Sequence, residues 1–170
     1  MKWIYVAALM LTTTACSHLA QEIRMDNAAE VSTIDTLLDR FHTAASQADY
    51  QAYFQYFHDD GVFLGTDKQE RWTVPAFKAF CEPYFAKGKG WTYTPIKRHI
   101  MVSPGGESAW FDEALHNEKY GNTRGSGALI KVAGEWKITQ YVLSLPIPND
   151  IALDVVKHVQ TFESKVPVEK

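Results

Sequence analysis

Four segments in the second half of the chain alternate apolar and polar residues with period 2, so alternate side chains share one face of a sheet. Charged or amide groups interrupt those apolar faces. Arg98 falls among Ile96, Ile100 and Val102, and Glu113 among Ala109, Phe111 and Leu115. Gln140 falls among Trp136, Ile138 and Val142, while Arg124 and Ser126 continue the face of Ala128, Ile130 and Val132. Turns near Gly105, Tyr120-Gly121 and Ala133-Gly134 set a register that lines up Arg98, Glu113, Ala128 and Gln140 across the sheet. Ala128 leaves space in the middle of that row. A one-residue slip would break it, because a slip of one reverses faces.

In this row Glu113 can serve as a general base or as a hydrogen-bond acceptor. Arg98 can hold an anionic or enolate oxygen, and Gln140 can orient a polar ligand. The competing reading is a structural Arg98–Glu113 ion pair, since buried charges are normally paired. An adjacent arginine also lowers the pKa of a carboxyl, which suits a base less well than an isolated buried acid. Arg71, Trp72, Tyr84 and Trp91 are candidates for the rim of a pocket, with aromatic packing as an equal alternative. Asp112 and His116 share the other strand face with Trp110, but their Cα atoms lie roughly 13 Å apart, too far for one metal or a direct proton relay. His42 reads as a partly buried helix residue. The six histidines show no HxH or HExxH spacing, so no metal and no other cofactor is expected. Gly125-x-Gly127 lies within a strand and opens no helix, so it is not a nucleotide loop.

The elements that must position these groups follow from periodicity. Val31, Ile34, Leu38, Phe41, Ala45 and Ala48 recur at helical spacing, with Ser32 and Asp35 near the start. Asp49 caps a second short helix carrying Tyr50, Tyr53, Phe54 and Phe57 on one stripe. Val62-Phe63-Leu64 reads as a short strand. Thr73 and Pro75 open a third helix with Phe77, Phe80, Cys81, Tyr84 and Phe85 on its apolar face. Cys81 there reads as a small buried hydrophobe. Four strands follow, 92–103, 107–118, 123–132 and 135–145, joined by short turns that imply an antiparallel meander. Asn149 or Asp150 caps a last helix with Ile151, Val155, Val159 and Phe162 on one side. Helices first and a meander afterwards make an α+β domain, a curved sheet with helices on its concave face.

The 170 residues suit one domain, and 46% hydrophobic with 22% charged is globular composition. A net charge of −3 argues against a nucleic-acid partner. Two cysteines exclude a disulfide scaffold. At the N-terminus, Lys2 precedes an apolar stretch from Trp3 to Leu11, of signal-peptide length and short of the roughly 18 residues that span a bilayer. Thr13-Thr14-Ala15-Cys16 resembles a bacterial lipobox, which implies lipidation of Cys16 and cleavage before it, although Thr13 stands where that motif has a branched aliphatic residue. The alternative is an ordinary signal peptide cut nearby. The expected organisation is a signal peptide over 1–15, a lipidated tether over 16–30, the domain over 31–163 and a flexible tail over 164–170. Cleavage removes Lys2, and sixteen basic against twenty acidic residues leave the mature chain at −4. Ser17 after the cysteine resembles the outer-membrane sorting pattern, with the domain facing the periplasm; a soluble periplasmic or secreted protein is the alternative.

Several motifs stand together in order: Asp60-Gly61-Val62-Phe63-Leu64-Gly65-Thr66-Asp67, Glu70-Arg71-Trp72, Gly90-Trp91-Thr92-Tyr93, Ala109-Trp110-Phe111-Asp112-Glu113, Arg124-Gly125-Ser126-Gly127 and Gly134-Glu135-Trp136-Lys137-Ile138. Over about residues 31–150 they resemble a bacterial SnoaL-like domain of the nuclear-transport-factor-2-like superfamily. The resemblance implies a cone-shaped α+β roll, a pocket at the open end and a homodimer through the sheet. That superfamily includes cyclases, isomerases, dehydratases, hydrolases and many members without catalysis, and no catalytic residue is carried over from the enzymes. Three functions stay open, in this order: a non-catalytic envelope protein that binds a small molecule; a lyase, isomerase or hydrolase on a small, largely apolar substrate with Glu113 as base; and a protein-interaction module.

Overall fold

The computed structural model describes residues 27–165; the expected signal peptide, Cys16 and most of the expected tail lie outside them. Helix α1 is already formed at residue 27 and runs to 46, so it begins ahead of the expected start near 31. Its stripe of Ile34, Leu38, Phe41, Ala44 and Ala45 is buried. Short α2 (Tyr50–Phe54) is capped by Asp49, whose side chain accepts the Ala52 N–H at 3.0 Å. The stripe expected to continue to Phe57 breaks there, because Phe57 opens β1 (Phe57–Leu64). Strand β2 (Arg71–Thr73) leads straight into α3 (Val74–Phe85), capped by Thr73 as the sequence suggests. Val74, Phe77, Cys81 and Phe85 are the buried face of α3, while Phe80 and Tyr84 stay at its exposed margin.

The meander forms as expected from β3 (Thr94–Val102), β4 (Ser108–Asn117), β5 (Gly121–Val132) and β6 (Glu135–Ser144). β1 joins it parallel to β6, and β2 pairs antiparallel at the edge, giving the order β2-β1-β6-β5-β4-β3. The fold is α+β, one curved six-stranded sheet with α1, α2 and α3 packed on a single face. Between sheet and helices lies an aromatic core. Phe41 stacks on Tyr53 at 4.6 Å, and Phe63 stacks on Phe77 at 4.1 Å and on Tyr141 at 5.5 Å. Offset-stacked and edge-to-face rings fill this volume with little side-chain entropy cost.

Three local features change which residues face that core. The β4–β5 connection holds three residues, Glu118, Lys119 and Tyr120, with Asn117 paired to Gly121 and Gly121 at φ +68°. That places Gly125 opposite Glu113, where Ala128 was expected, a shift of three. An odd shift reverses faces, so β5 turns Thr123, Gly125 and Leu129 inward in place of Ala128, Ile130 and Val132. On β6 a bulge at Thr139 lies between Ile138, paired with Leu129, and Gln140, paired with Ala128. Beyond it Tyr141 and Leu143 are buried and Gln140 is exposed. On β3 a bulge at Ile96 leaves that side chain 62% exposed, so it does not share the face of Arg98, Ile100 and Val102.

Helix α4 (Asn149–Glu163) begins after Pro148 without a side-chain cap, so neither Asn149 nor Asp150 plays the expected role. It buries none of its residues; the expected inward side, including Ile151, Val159 and Phe162, is exposed. No helix among the described residues is long and apolar enough to cross a membrane.

Cys81 is fully buried, and burial pushes its thiol up to about 12. A thiol in that state carries almost no thiolate at neutral pH. We expect Cys81 to resist an aromatic disulfide reagent at pH 8 in the native protein and to react once the chain is unfolded in urea; rapid native reaction would contradict this packing.

Candidate functional site

Glu113 sits at the centre of β4 with 0% exposure. The alternation of β4 sends it inward with Ala109, Phe111 and Leu115, as the sequence suggests. Across the ladder Arg98 lies directly opposite and donates Nε–H to Glu113 Oε2 at 2.8 Å. The other oxygen, Oε1, is 2.8 Å from His42 Nε2 and accepts the Tyr141 hydroxyl at 2.8 Å. An ionised carboxylate accepts only, so His42 carries its proton on Nε2. Three elements therefore meet on one carboxylate: α1 through His42, β3 through Arg98 and β6 through Tyr141.

Arg98 extends the network to the exposed side of α1. Its Nη1 donates to Asp35 Oδ1 at 2.5 Å, to Asp39 Oδ1 at 3.0 Å and to the Asp35 carbonyl at 3.1 Å. Asp35, Asp39 and His42 are spaced i, i+4, i+7, which puts all three on one helix face. That spacing is legible in the sequence. Burial alone raises the Glu113 pKa. Hydrogen bonds and charge from His42 and Arg98 outweigh that and hold it below the ordinary glutamate range. Burial keeps the Tyr141 phenol well above its usual range, with the Glu113 charge adding to the effect, so it is a neutral donor.

Gly125 makes this arrangement possible. A Cβ there would lie 2.4 Å from the Tyr141 hydroxyl oxygen and 2.7 Å from Glu113 Oε1. The space expected beside Ala128 is found at Gly125, and Tyr141 fills it. Sequence reasoning missed Tyr141 because the Thr139 bulge reverses its face. The signal that could have found it was Gly125-x-Gly127, two same-face residues without side chains where bulky neighbours close in.

The other expected site residues separate. Gln140 and Arg124 are exposed on the outer sheet face, away from Glu113, because of the bulge and the three-residue loop. Arg71 is exposed while its neighbour Trp72 turns inward, following the alternation of β2. Tyr84 is 47% exposed and touches Phe80. Trp72 and Trp91 do meet, in a pocket of about 150 Å³ at the end of the core. β1 and β2 supply Phe63 and Trp72, and α3 supplies Phe77 and Phe80. Trp91, Tyr93, Tyr120 and Leu143 close the other side. Its polar groups come from the β1–β2 turn, Thr66 and Glu70. Gly65 lets that turn close: a Cβ would fall 2.1 Å from Glu70 Oε2. Stacked rings run from the pocket to the buried acid, from Phe80 through Trp72, Phe77 and Phe63 to Tyr141. Glu113 does not line the pocket. Two larger clefts, of about 650 and 590 Å³, lie at the opposite end of β5 and β6, the first with polar and apolar groups in near-equal share and the second more polar. Among the described residues no three His, Cys, Asp or Glu side chains converge as metal ligands would.

Loss of Glu113 leaves Arg98 buried without its main partner. Glu113→Ala is expected to cost about 3–5 kcal/mol in urea unfolding at pH 7. The wild-type carboxyl titrates lower when folded than when unfolded, where it lies at about 4.3. Its stabilisation is therefore complete above that pH and is lost as pH falls through the folded value. Glu113→Gln should flatten this part of the stability–pH curve; an unaltered acid limb would show that another group causes it.

Comparison with known proteins agrees with this fold. A search of curated proteins finds no match. Among solved structures, an NTF2-like protein of unknown function from Pseudomonas putida superposes with a TM-score of 0.60 at 18% identity, covering 72% of this chain and 90% of that one. A cystatin-like-fold protein of unknown function from Nostoc punctiforme gives 0.55 at 15% identity, covering 67% and 89%. A proposed dehydratase of the NTF2-like family from Streptomyces avermitilis gives 0.59 at 11% identity, covering 72% and 99%. At these identities the likeness is one of fold. Residues 34–148 match the profile of the SnoaL-like domain, and the chain belongs to that family.

Proposed function

We propose that the protein is a non-catalytic, small-molecule-binding SnoaL-like domain, carried on the cell envelope by a lipid at Cys16. The observation that carries this reading is the separation of pocket from acid. The concave aromatic site has the size of a cavity that holds one benzene-like ring, about 150 Å³. Its wall is apolar with few polar groups, the usual make-up of a ligand site. The only fully buried carboxylate among the described residues has both oxygens engaged and a lowered pKa. A general base at neutral pH needs a raised pKa and reach to the proton it takes. Glu113 has neither, so the reading of a lyase, isomerase or hydrolase built on it ranks second. Arg98 acts here as the partner of Glu113.

The envelope address rests on the leader and Cys16 of the sequence. The outer sheet face supports a homodimer. Trp110, 47% exposed, pairs across the ladders with exposed Met101 and with Ala128. Apolar residues grouped on an open sheet face favour a partner.

Native mass spectrometry of the chain isolated gently from its own envelope should show a retained small-molecule mass, lost in Trp72→Ala. A bare wild-type chain, or equal retention by the variant, would count against the pocket. Cys16→Ser should move the protein from the membrane to the soluble fraction, where sedimentation at micromolar concentration should give twice the monomer mass. Continued membrane retention would remove the lipid anchor, and a monomer would remove the dimer.

A further inference from the structure

The charge of the aromatic pocket narrows its ligand. Seven of its lining residues are Phe, Tyr or Trp, and its one charged lining residue is Glu70. Glu70 accepts the Asp67 N–H at 3.1 Å through Oε2, and among the described residues no lysine, arginine or histidine forms an ion pair with it. The adjacent Arg71 is exposed on the other side of β2. Tyr93 and Tyr120, on the far wall, stack on no other ring among the described residues. At the rim Lys119 Nζ already lies 4.8 Å from the Tyr120 ring centroid, a cation on an aromatic face.

Each class of ligand meets these groups differently. An anion would be repelled by Glu70 and would face the negative faces of the rings. A neutral apolar ligand would displace water from Glu70 and leave its charge without a partner, which is costly. A hard metal ion needs six or more oxygen ligands and would find one carboxylate. A primary ammonium needs acceptors for three N–H groups. A methylated ammonium needs few or none. Its positive charge lies over ring faces, its methyl groups pack against them, and a single carboxylate balances it.

We propose that this pocket binds a small molecule bearing a methylated ammonium group, with Glu70 as its counter-charge. The proposal rests on the reading of the aromatic pocket as the ligand site and adds the chemical class of the ligand. Burial, together with neighbouring Tyr120 and Glu70, holds the Tyr93 phenol above its ordinary range, so it stays a neutral hydroxyl in the wall.

Choline and its uncharged isostere 3,3-dimethylbutan-1-ol separate charge from shape. The full chain in non-ionic detergent micelles is titrated with each, with tryptophan fluorescence and calorimetry as readouts. Choline should bind saturably and at least about tenfold more tightly than the isostere. Glu70→Gln should remove most of that preference, weakening choline and tightening the isostere, which then leaves no carboxylate without a partner. Equal affinities in the wild type would overturn the cation proposal while leaving a ligand pocket in place. Failure of choline to bind would also overturn it. The native-mass experiment judges the pocket separately, since it detects a retained ligand of any charge.

Discussion

The buried Glu113 carboxylate is the constraint on which the rest of the structure depends. An isolated buried charge is expensive, and the chain supplies three donors from three different elements to hold it. Each donor ties its own backbone to β4. His42 sets the rotation of α1 over the sheet, and Arg98 holds β3 while reaching Asp35 and Asp39 along the same helix. Tyr141 requires the β6 bulge that turns it inward and the glycine at 125 that makes room for it. Apolar packing alone tolerates small slips of a helix across a sheet. A network of 2.8 Å hydrogen bonds does not, because the distance and angle window is narrow.

Tyr141 joins this polar centre to the aromatic core. Its hydroxyl serves Glu113, while its ring stacks on Phe63, and Phe63 on Phe77. The same stack continues through Trp72 to Phe80 at the pocket. The wall of the pocket is thus continuous with the core, stacked ring on ring back to Tyr141. The pocket's polar group comes from a different place, the tight turn after β1, where Gly65 admits the Glu70 carboxylate. Shape and charge are therefore supplied by separate elements.

Much of the fold was legible from period and punctuation. The α1 stripe, the Asp49 and Thr73 caps and the four-strand meander stand where apolar spacing and turn residues put them. The pairing of Arg98 with Glu113 was legible too, because Gly105 marks the turn between β3 and β4 and that stretch holds no bulge. Across the sheet the reading failed at the next turn. Tyr120-Gly121 looks like a two-residue turn, but the chain spends Glu118, Lys119 and Tyr120 on the loop and pairs Gly121 with Asn117. Helix α4 shows another limit. Its amphipathic spacing is real, but spacing does not say that a partner surface exists within the same chain.

The sequence by itself determined the element types, the α+β order and the presence of an acid and an arginine on one inward sheet face, because these follow from local periodicity. Only the tertiary structure decided that Tyr141 and His42, and not Gln140, complete that cluster, and that Trp72 and Trp91 share a pocket with Glu70. The exchange of Tyr141 for Gln140 depends on the bulge at Thr139, and the place of Gly125 beside it on one loop length. A single extra residue reverses every side chain beyond it, and whether a strand accommodates one is set by what must fit on the other side of the sheet.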